Sequence, residues 1–150
     1  MKMVRVRQKT PDYCFVACVA STLLDEGYDK LQDLLVDRFP NELKQPPPQK
    51  IGVPPTWLDS ERVIKQLGLA VTVTFQQRSV QDAINFLKSN KHMTKWIFIN
   101  TNAAGCHLVR LSAVRNGGIT VMDPIDGTMK RWTWTRFRRE YYALVVRDWK

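Results

Sequence analysis

The stretch Gln8-Lys9-Thr10-Pro11-Asp12-Tyr13-Cys14-Phe15-Val16-Ala17-Cys18-Val19-Ala20-Ser21-Thr22-Leu23-Leu24 passes from a polar lead-in to an apolar run. Thr10-Pro11-Asp12 has the chemistry of a helix start: a hydroxyl able to cap, a proline suited to the first turn, and an early acid. Asp12 can serve as the cap equally well, so the boundary stays open by a residue or two. The apolar run predicts a helix to about Glu26, stopped by Gly27. Cys14 then falls in the first turn, where backbone N–H groups have no intrahelical partner. An ordinary thiol is only about 3% thiolate at neutral pH. A helix N-terminus with a histidine nearby raises that fraction many-fold. One unpaired N–H, that of Cys14 itself, can also donate to an oxyanion. Gln8, six residues before the cysteine, can supply a second donor through its side-chain amide.

Working outward, the chain offers Cys106-His107-Leu108-Val109-Arg110-Leu111 and then Val121-Met122-Asp123-Pro124-Ile125-Asp126-Gly127. His107 opens an apolar strand and so projects at a sheet edge, where a base facing a helix terminus belongs. The other histidine, His92, lies in the polar run Lys88-Ser89-Asn90-Lys91-His92-Met93-Thr94 and reads as an exposed loop residue. Asp123 follows a strand, and Pro124 cannot extend the ladder. A carboxylate there can accept a bond from the outer imidazole nitrogen and fix the tautomer. Asp-Pro-x-Asp-Gly is also good turn chemistry, and both roles are compatible. Asp126 reads as turn-forming. Nucleophile Cys14, base His107, orienting Asp123 and oxyanion donor Gln8 are the four groups of thiol acyl-transfer chemistry.

The order Gln8, Cys14, His107, Asp123-Pro124 with Gly127 resembles the papain-like superfamily, and within it the C39 and C39-like peptidases. The resemblance runs from Gln8 to the closing strand. It implies an α+β, papain-like fold, with an N-terminal helical half whose nucleophile helix packs on a C-terminal antiparallel β-sheet. One departure is Phe15, where the family usually has glycine. It bears on the acyl pocket and the substrate rather than on the class of chemistry.

The chain has 150 residues, 44% hydrophobic and 25% charged, enough for one domain with a real core. A single papain-like domain over 1–150 is expected. No apolar stretch approaches the ~20 residues that span a bilayer, and the basic start Met1–Arg7 lacks a signal-peptide core. Three cysteines, an odd number, point to a reducing compartment rather than a disulfide framework. The expected location is cytoplasmic, with delivery by a specialised secretion system or a phage particle compatible with the same features.

Residues 2–7 alternate and suggest a short edge strand or arm. A second helix is expected over about Asp29–Arg38, with Leu31, Leu34 and Leu35 on its inner face. Residues 40–56 hold six of the eight prolines and read as a stiffened surface connection, neither helix nor central strand. A helix over about Leu58–Gln66 and a strand over Leu69–Phe75 follow. Ser79 then caps a helix over Val80–Ser89, with Asp82 at the reciprocal position. From residue 95 the pattern is β: Trp96–Asn100, Cys106–Val114, a turn at Asn116-Gly117-Gly118, Ile119–Met122 and Met129–Trp134. A short helix over Thr135–Glu140 and a strand over Tyr141–Val146 close the chain.

Two rival uses of these residues carry less weight. Cys14, Cys18, Cys106 and His107 could form a Cys₃His zinc set. No Cys-x-x-Cys knuckle is present, however, and adjacent Cys106 and His107 on a strand point to opposite faces. Cys18 sits in Val-Ala-Cys-Val-Ala, a setting for a small buried residue. No metal and no cofactor is expected. The basic, aromatic C-terminal segment with Lys130, Arg131, Trp132, Trp134, Arg136, Arg138 and Arg139 could be a nucleic-acid surface. A solvated strand face and a helix with aromatics in the core is the better reading.

The leading functional expectation is therefore a cysteine peptidase or related thiol amidase acting on a peptide or protein. The net charge of +9 suits an acidic leader or protein substrate. The resemblance implies cutting after two small residues beyond an amphipathic leader, with any coupling to export supplied by a separate transporter or secretion partner. Two alternatives use the same chain: a protein-glutamine deamidase with the same triad, and a non-catalytic adaptor that binds an acidic partner.

Overall fold

A computed structural model describes residues 3–25, 27, 31–44, 57–68, 73–91, 97–101 and 107–147. Among these described residues six helices and six strands follow in the order α1 (Cys14–Asp25), α2 (Gln32–Arg38), α3 (Pro40–Leu43), α4 (Trp57–Gln66), β1 (Val73–Gln76), α5 (Val80–Ser89), β2 (Ile97–Thr101), β3 (Leu108–Arg115), β4 (Gly118–Asp123), β5 (Thr128–Thr133), α6 (Trp134–Glu140) and β6 (Tyr141–Arg147). The strands form one antiparallel sheet in the order β1-β6-β2-β3-β4-β5. This is an α+β arrangement, with α1 against β3.

The central strand β2 is buried on both faces. Along β2, Phe98 joins one core with Val16, Val19, Leu23, Leu35, Val36 and Val63 from the N-terminal helices. Ile97 and Ile99 join the other, with Ala83, Ile84 and Leu87 of α5 and Phe137 of α6. Period-2 alternation thus sorts one strand into two cores. The Ser79 cap forms as its sequence predicts, the hydroxyl accepting the Asp82 N–H at 3.1 Å. The β3–β4 hairpin turns at Asn116-Gly117, and β4 starts one residue earlier than expected, at Gly118. Its φ of +158° is close to extended; a Cβ there would nevertheless lie 1.9 Å from the Trp132 carbonyl of β5, so the position excludes any side chain.

Two expectations need correction, and a third is decided between its two alternatives. α2 begins at Gln32, and Leu31 and Leu34 face outward, 64% and 53% exposed. The buried stripe is Leu35, Val36, Phe39 and Leu43, spaced one turn apart, and Leu34 falls outside it. Within the proline-rich segment, Pro40–Leu43 is a helical turn. Pro40 occupies its first position, where the missing N–H costs nothing and φ is already set; residues 45–56 lie outside the described residues. Residues 3–9 form an arm without strand pairing. Its anchors are Val4 N–H on Asp25 Oδ1 at 2.7 Å, the Ser21 hydroxyl on the Val4 carbonyl, and Gln32 Nε2 on the Arg7 carbonyl at 2.7 Å.

Arg110 of β3 is wholly buried and joins these parts. Its guanidinium donates to Ser21 Oγ at 2.7 Å and to Asp25 Oδ2 at 2.5 Å, tying the C-terminal turn of α1 to the sheet. Among the described residues no helix is long and apolar enough to cross a membrane.

Candidate active site

α1 starts at Cys14, slightly later than a Pro11 start. Thr10-Pro11-Asp12 forms a turn ahead of it: Thr10 Oγ1 accepts the Asp12 N–H at 3.3 Å, and the Thr10 carbonyl accepts the Tyr13 N–H at 3.1 Å. The first helical bond runs from Ala17 N–H to the Tyr13 carbonyl at 2.9 Å. Cys14 is therefore at the very head of the helix and half-buried. One turn on, the buried Cys18 thiol donates to the Leu108 carbonyl at 3.6 Å, which sets the first turns of α1 beside the start of β3. Burial above all, with the nearby Cys14 and Asp123 charges, pushes the Cys18 thiol well above its ordinary value. It is a core residue that stays protonated. Phe15 is 5% exposed and packs in the same core as Val16 and Val19.

His107 immediately precedes β3. Its carbonyl accepts the Thr101 N–H at 2.8 Å, which fixes its backbone to the end of β2. β3 and β4 run antiparallel with Arg110 opposite Met122, so the start of one and the end of the other meet at the same edge of the sheet. There His107 Nε2 lies 2.6 Å from Asp123 Oδ1. This leaves Nδ1 for the thiol, and Cys14 is near enough to favour the charged imidazole. Burial works to lower the basicity of His107; the bond to Asp123, the nearby Cys14 and their charges outweigh it and push its pKa to about 9. Burial likewise works to raise Asp123, but the donors on its carboxylate hold it well below the usual range. Those donors are His107, the Ile125 N–H on Oδ1 at 3.0 Å, and Lys130 Nζ on Oδ2 at 2.9 Å.

The Asp123–Gly127 turn also seats Gln8. The Gln8 N–H donates to the Pro124 carbonyl at 2.6 Å. Gly127 has φ +71°, and a Cβ there would stand 3.1 Å from the Arg7 nitrogen, so the arm crosses where glycine leaves room. The Gln8 amide donates to the Thr10 and Pro11 carbonyls at 3.0 Å each. Its Oε1 is buried without a partner among the described residues. The structure thus brings Cys14, His107 and Asp123 together, with His107 hydrogen-bonded to Asp123. It places Gln8 on the same turn, with its amide on the lead-in to α1.

Asp126 accepts from the Thr128 N–H at 3.0 Å and hydroxyl at 2.7 Å, the turn role expected of it, and also meets Lys130 at 3.3 Å. Sequence reading missed Lys130, taking it for a solvated basic residue. The usable signal was the tight turn: a hairpin closing between Asp123 and Thr128 brings residue 130 back beside residue 121. Cys106 and His92 lie outside the described residues, and so does the full Cys₃His set. Among the described residues no group of three His, Cys, Asp or Glu side chains could hold a metal.

Comparison with solved structures places this architecture. The peptidase domain of Streptococcus ComA, a bifunctional ABC transporter of quorum sensing, superposes with a TM-score of 0.70 at 17% identity over 98% of this chain and 100% of that one. The fold is that of the C39 peptidase domains. A double glycine motif protease from an AMS/PCAT transporter, solved with its leader peptide, gives 0.65 at 16% identity, covering 98% and 93%. A C39-like peptidase from Bacillus anthracis gives 0.55 at 13%, covering 98% and 96%. No family model and no curated protein sequence matches. The papain-like α+β fold expected from Gln8, Cys14, His107 and Asp123 is therefore present, carried by shape at low sequence identity.

Proposed function

We propose that this C39-fold chain is a thiol hydrolase that cleaves a peptide bond through Cys14, His107 and Asp123. The observation that carries the reading is His107, hydrogen-bonded to Asp123 and close to the thiol at the head of α1. Cys14 sulfur attacks the carbonyl carbon, and a C–S bond forms. The oxygen takes negative charge near the Cys14 N–H, with the Gln8 amide swinging from the Thr10 and Pro11 carbonyls as second donor. The C–N bond then breaks, and His107 gives its proton to the leaving amine. Water attacks the thioester as His107 takes its proton, and Cys14 leaves as thiolate. Asp123 holds the imidazolium and moves no proton.

The substrate we favour is a leader-type peptide, as in the neighbour solved with one, and the +9 charge suits an acidic one. A separate transporter would couple cleavage to export. With Phe15 in the core, the departure from glycine gives no reason to prefer another substrate class. Alkylation tests the site without a known substrate. Iodoacetamide at pH 6 should label Cys14 far faster than the fully buried Cys18, and His107→Ala should slow that labelling. Labelling of Cys14 at the same rate with and without His107 would overturn the assignment.

A further inference from the structure

Lys130 lies on β5, the edge strand of the sheet, with its side chain 29% exposed. Its ammonium contacts Asp123 Oδ2 at 2.9 Å and Asp126 Oδ2 at 3.3 Å. Asp123 Oδ1 is already shared by His107 and the Ile125 N–H, so Lys130 takes the one carboxylate oxygen that the imidazole does not use. We propose that Lys130 is a positioning residue for the Cys14–His107 pair: it locks the Asp123 carboxylate in rotation, and its charge favours the thiolate. The inference rests on the catalytic reading above.

The charges around the pair support it. A thiolate, an imidazolium and the Asp123 carboxylate sum to minus one, and Lys130 brings the buried set to zero. The remaining groups near the thiol leave this balance alone. Arg110 is neutralised by Asp25 at 2.5 Å, and Cys18 is a buried, protonated thiol. Asp126 is 46% exposed, so water screens it. Burial works against the ammonium, but the bonds to Asp123 and Asp126 hold Lys130 protonated. Removing it has two consequences of one sign. The carboxylate, freed to turn, supports the imidazolium less, and a positive charge near the thiolate is lost. Both make the thiolate harder to form.

The test is the pH profile of Cys14 alkylation by iodoacetamide, read by mass spectrometry on wild type, Lys130→Met, Lys130→Arg and Arg131→Met, each checked for an unchanged circular dichroism spectrum. Arg131 is the exposed neighbour on β5 and loses the same charge. Lys130→Met should move the acid limb of the profile up by about half a pH unit, the scale of one unit charge acting through the Asp123–His107 pair at the rim of a protein. Lys130→Arg should return most of the shift, and Arg131→Met should stay on the wild-type curve. Superimposable curves for Lys130→Met and wild type, or an equal shift in Arg131→Met, would overturn the inference and leave the catalytic reading standing. A wild-type Cys14 that alkylates like an ordinary thiol would overturn both.

Discussion

Asp123→Asn separates the charge of the carboxylate from its geometry, and the surrounding donors decide the outcome. The Ile125 N–H points at Oδ1 at 3.0 Å, so an asparagine must keep its oxygen there. That same oxygen then still accepts from His107 Nε2, and the tautomer survives. The amide NH₂ faces Lys130, which turns to its second partner Asp126. What is lost is the charge on a 2.6 Å bond to the imidazolium. A hydrogen bond to a charged group contributes about 1.5–3 kcal/mol, so kcat/KM on a cleaved peptide should fall by roughly 10- to 150-fold. The midpoint of His107, followed by its ring resonances in NMR, should drop from about 9 toward the usual 6.5. The chain has only two histidines, and a His92 variant identifies the second signal. An unshifted His107 midpoint would refute the coupling to Asp123. A loss as complete as that of Cys14→Ala would refute the argument that Ile125 preserves the tautomer.

Gln8→Ala should lower kcat by about 10²-fold with little change in KM, since an oxyanion donor acts mainly in the transition state; a rise in KM alone would make Gln8 a ground-state binding residue. Asp25→Ala leaves the buried Arg110 without its carboxylate and should cost about 3–5 kcal/mol in chemical denaturation, much of it restored in the double variant with Arg110→Met. His107 has a folded pKa of about 9 against 6.5, so its contribution to stability is complete below about pH 6.5 and fades as pH rises through 9. Asp123, held low, contributes above its ordinary 3.8 and loses that contribution in acid. Urea midpoints should therefore decline from pH 6 to pH 10 in wild type and decline less in His107→Ala.

The β half of the fold, and the elements that bring Cys14, His107 and Asp123 together, were legible because their signals are local. Ser79 and Asp82 cap α5 within three residues, Asn116-Gly117 turns a hairpin, and Asp123-Pro124 ends a strand at a position the ladder cannot extend. What stayed hidden depends on contacts distant in sequence or on a choice between faces. Leu31, Leu34 and Leu35 fit one apolar stripe on paper. The packing of α2 against α1 keeps Leu35, adds Val36 and leaves Leu31 and Leu34 outside. Nothing local marks Arg110 as buried; its partner Asp25 lies 85 residues away in sequence and becomes visible only once α1 crosses β3. Lys130 was hidden among other basic residues, and only the hairpin register sets it beside Asp123.

The most direct test of the central claim is to incubate the protein with a proteome-derived peptide library and read new termini by mass spectrometry, with Cys14→Ala in parallel. The account predicts new N-termini with wild type, clustered after small residues and depending on Cys14. Glutamines gained as +1 Da without new termini, or termini that persist in Cys14→Ala, would contradict it.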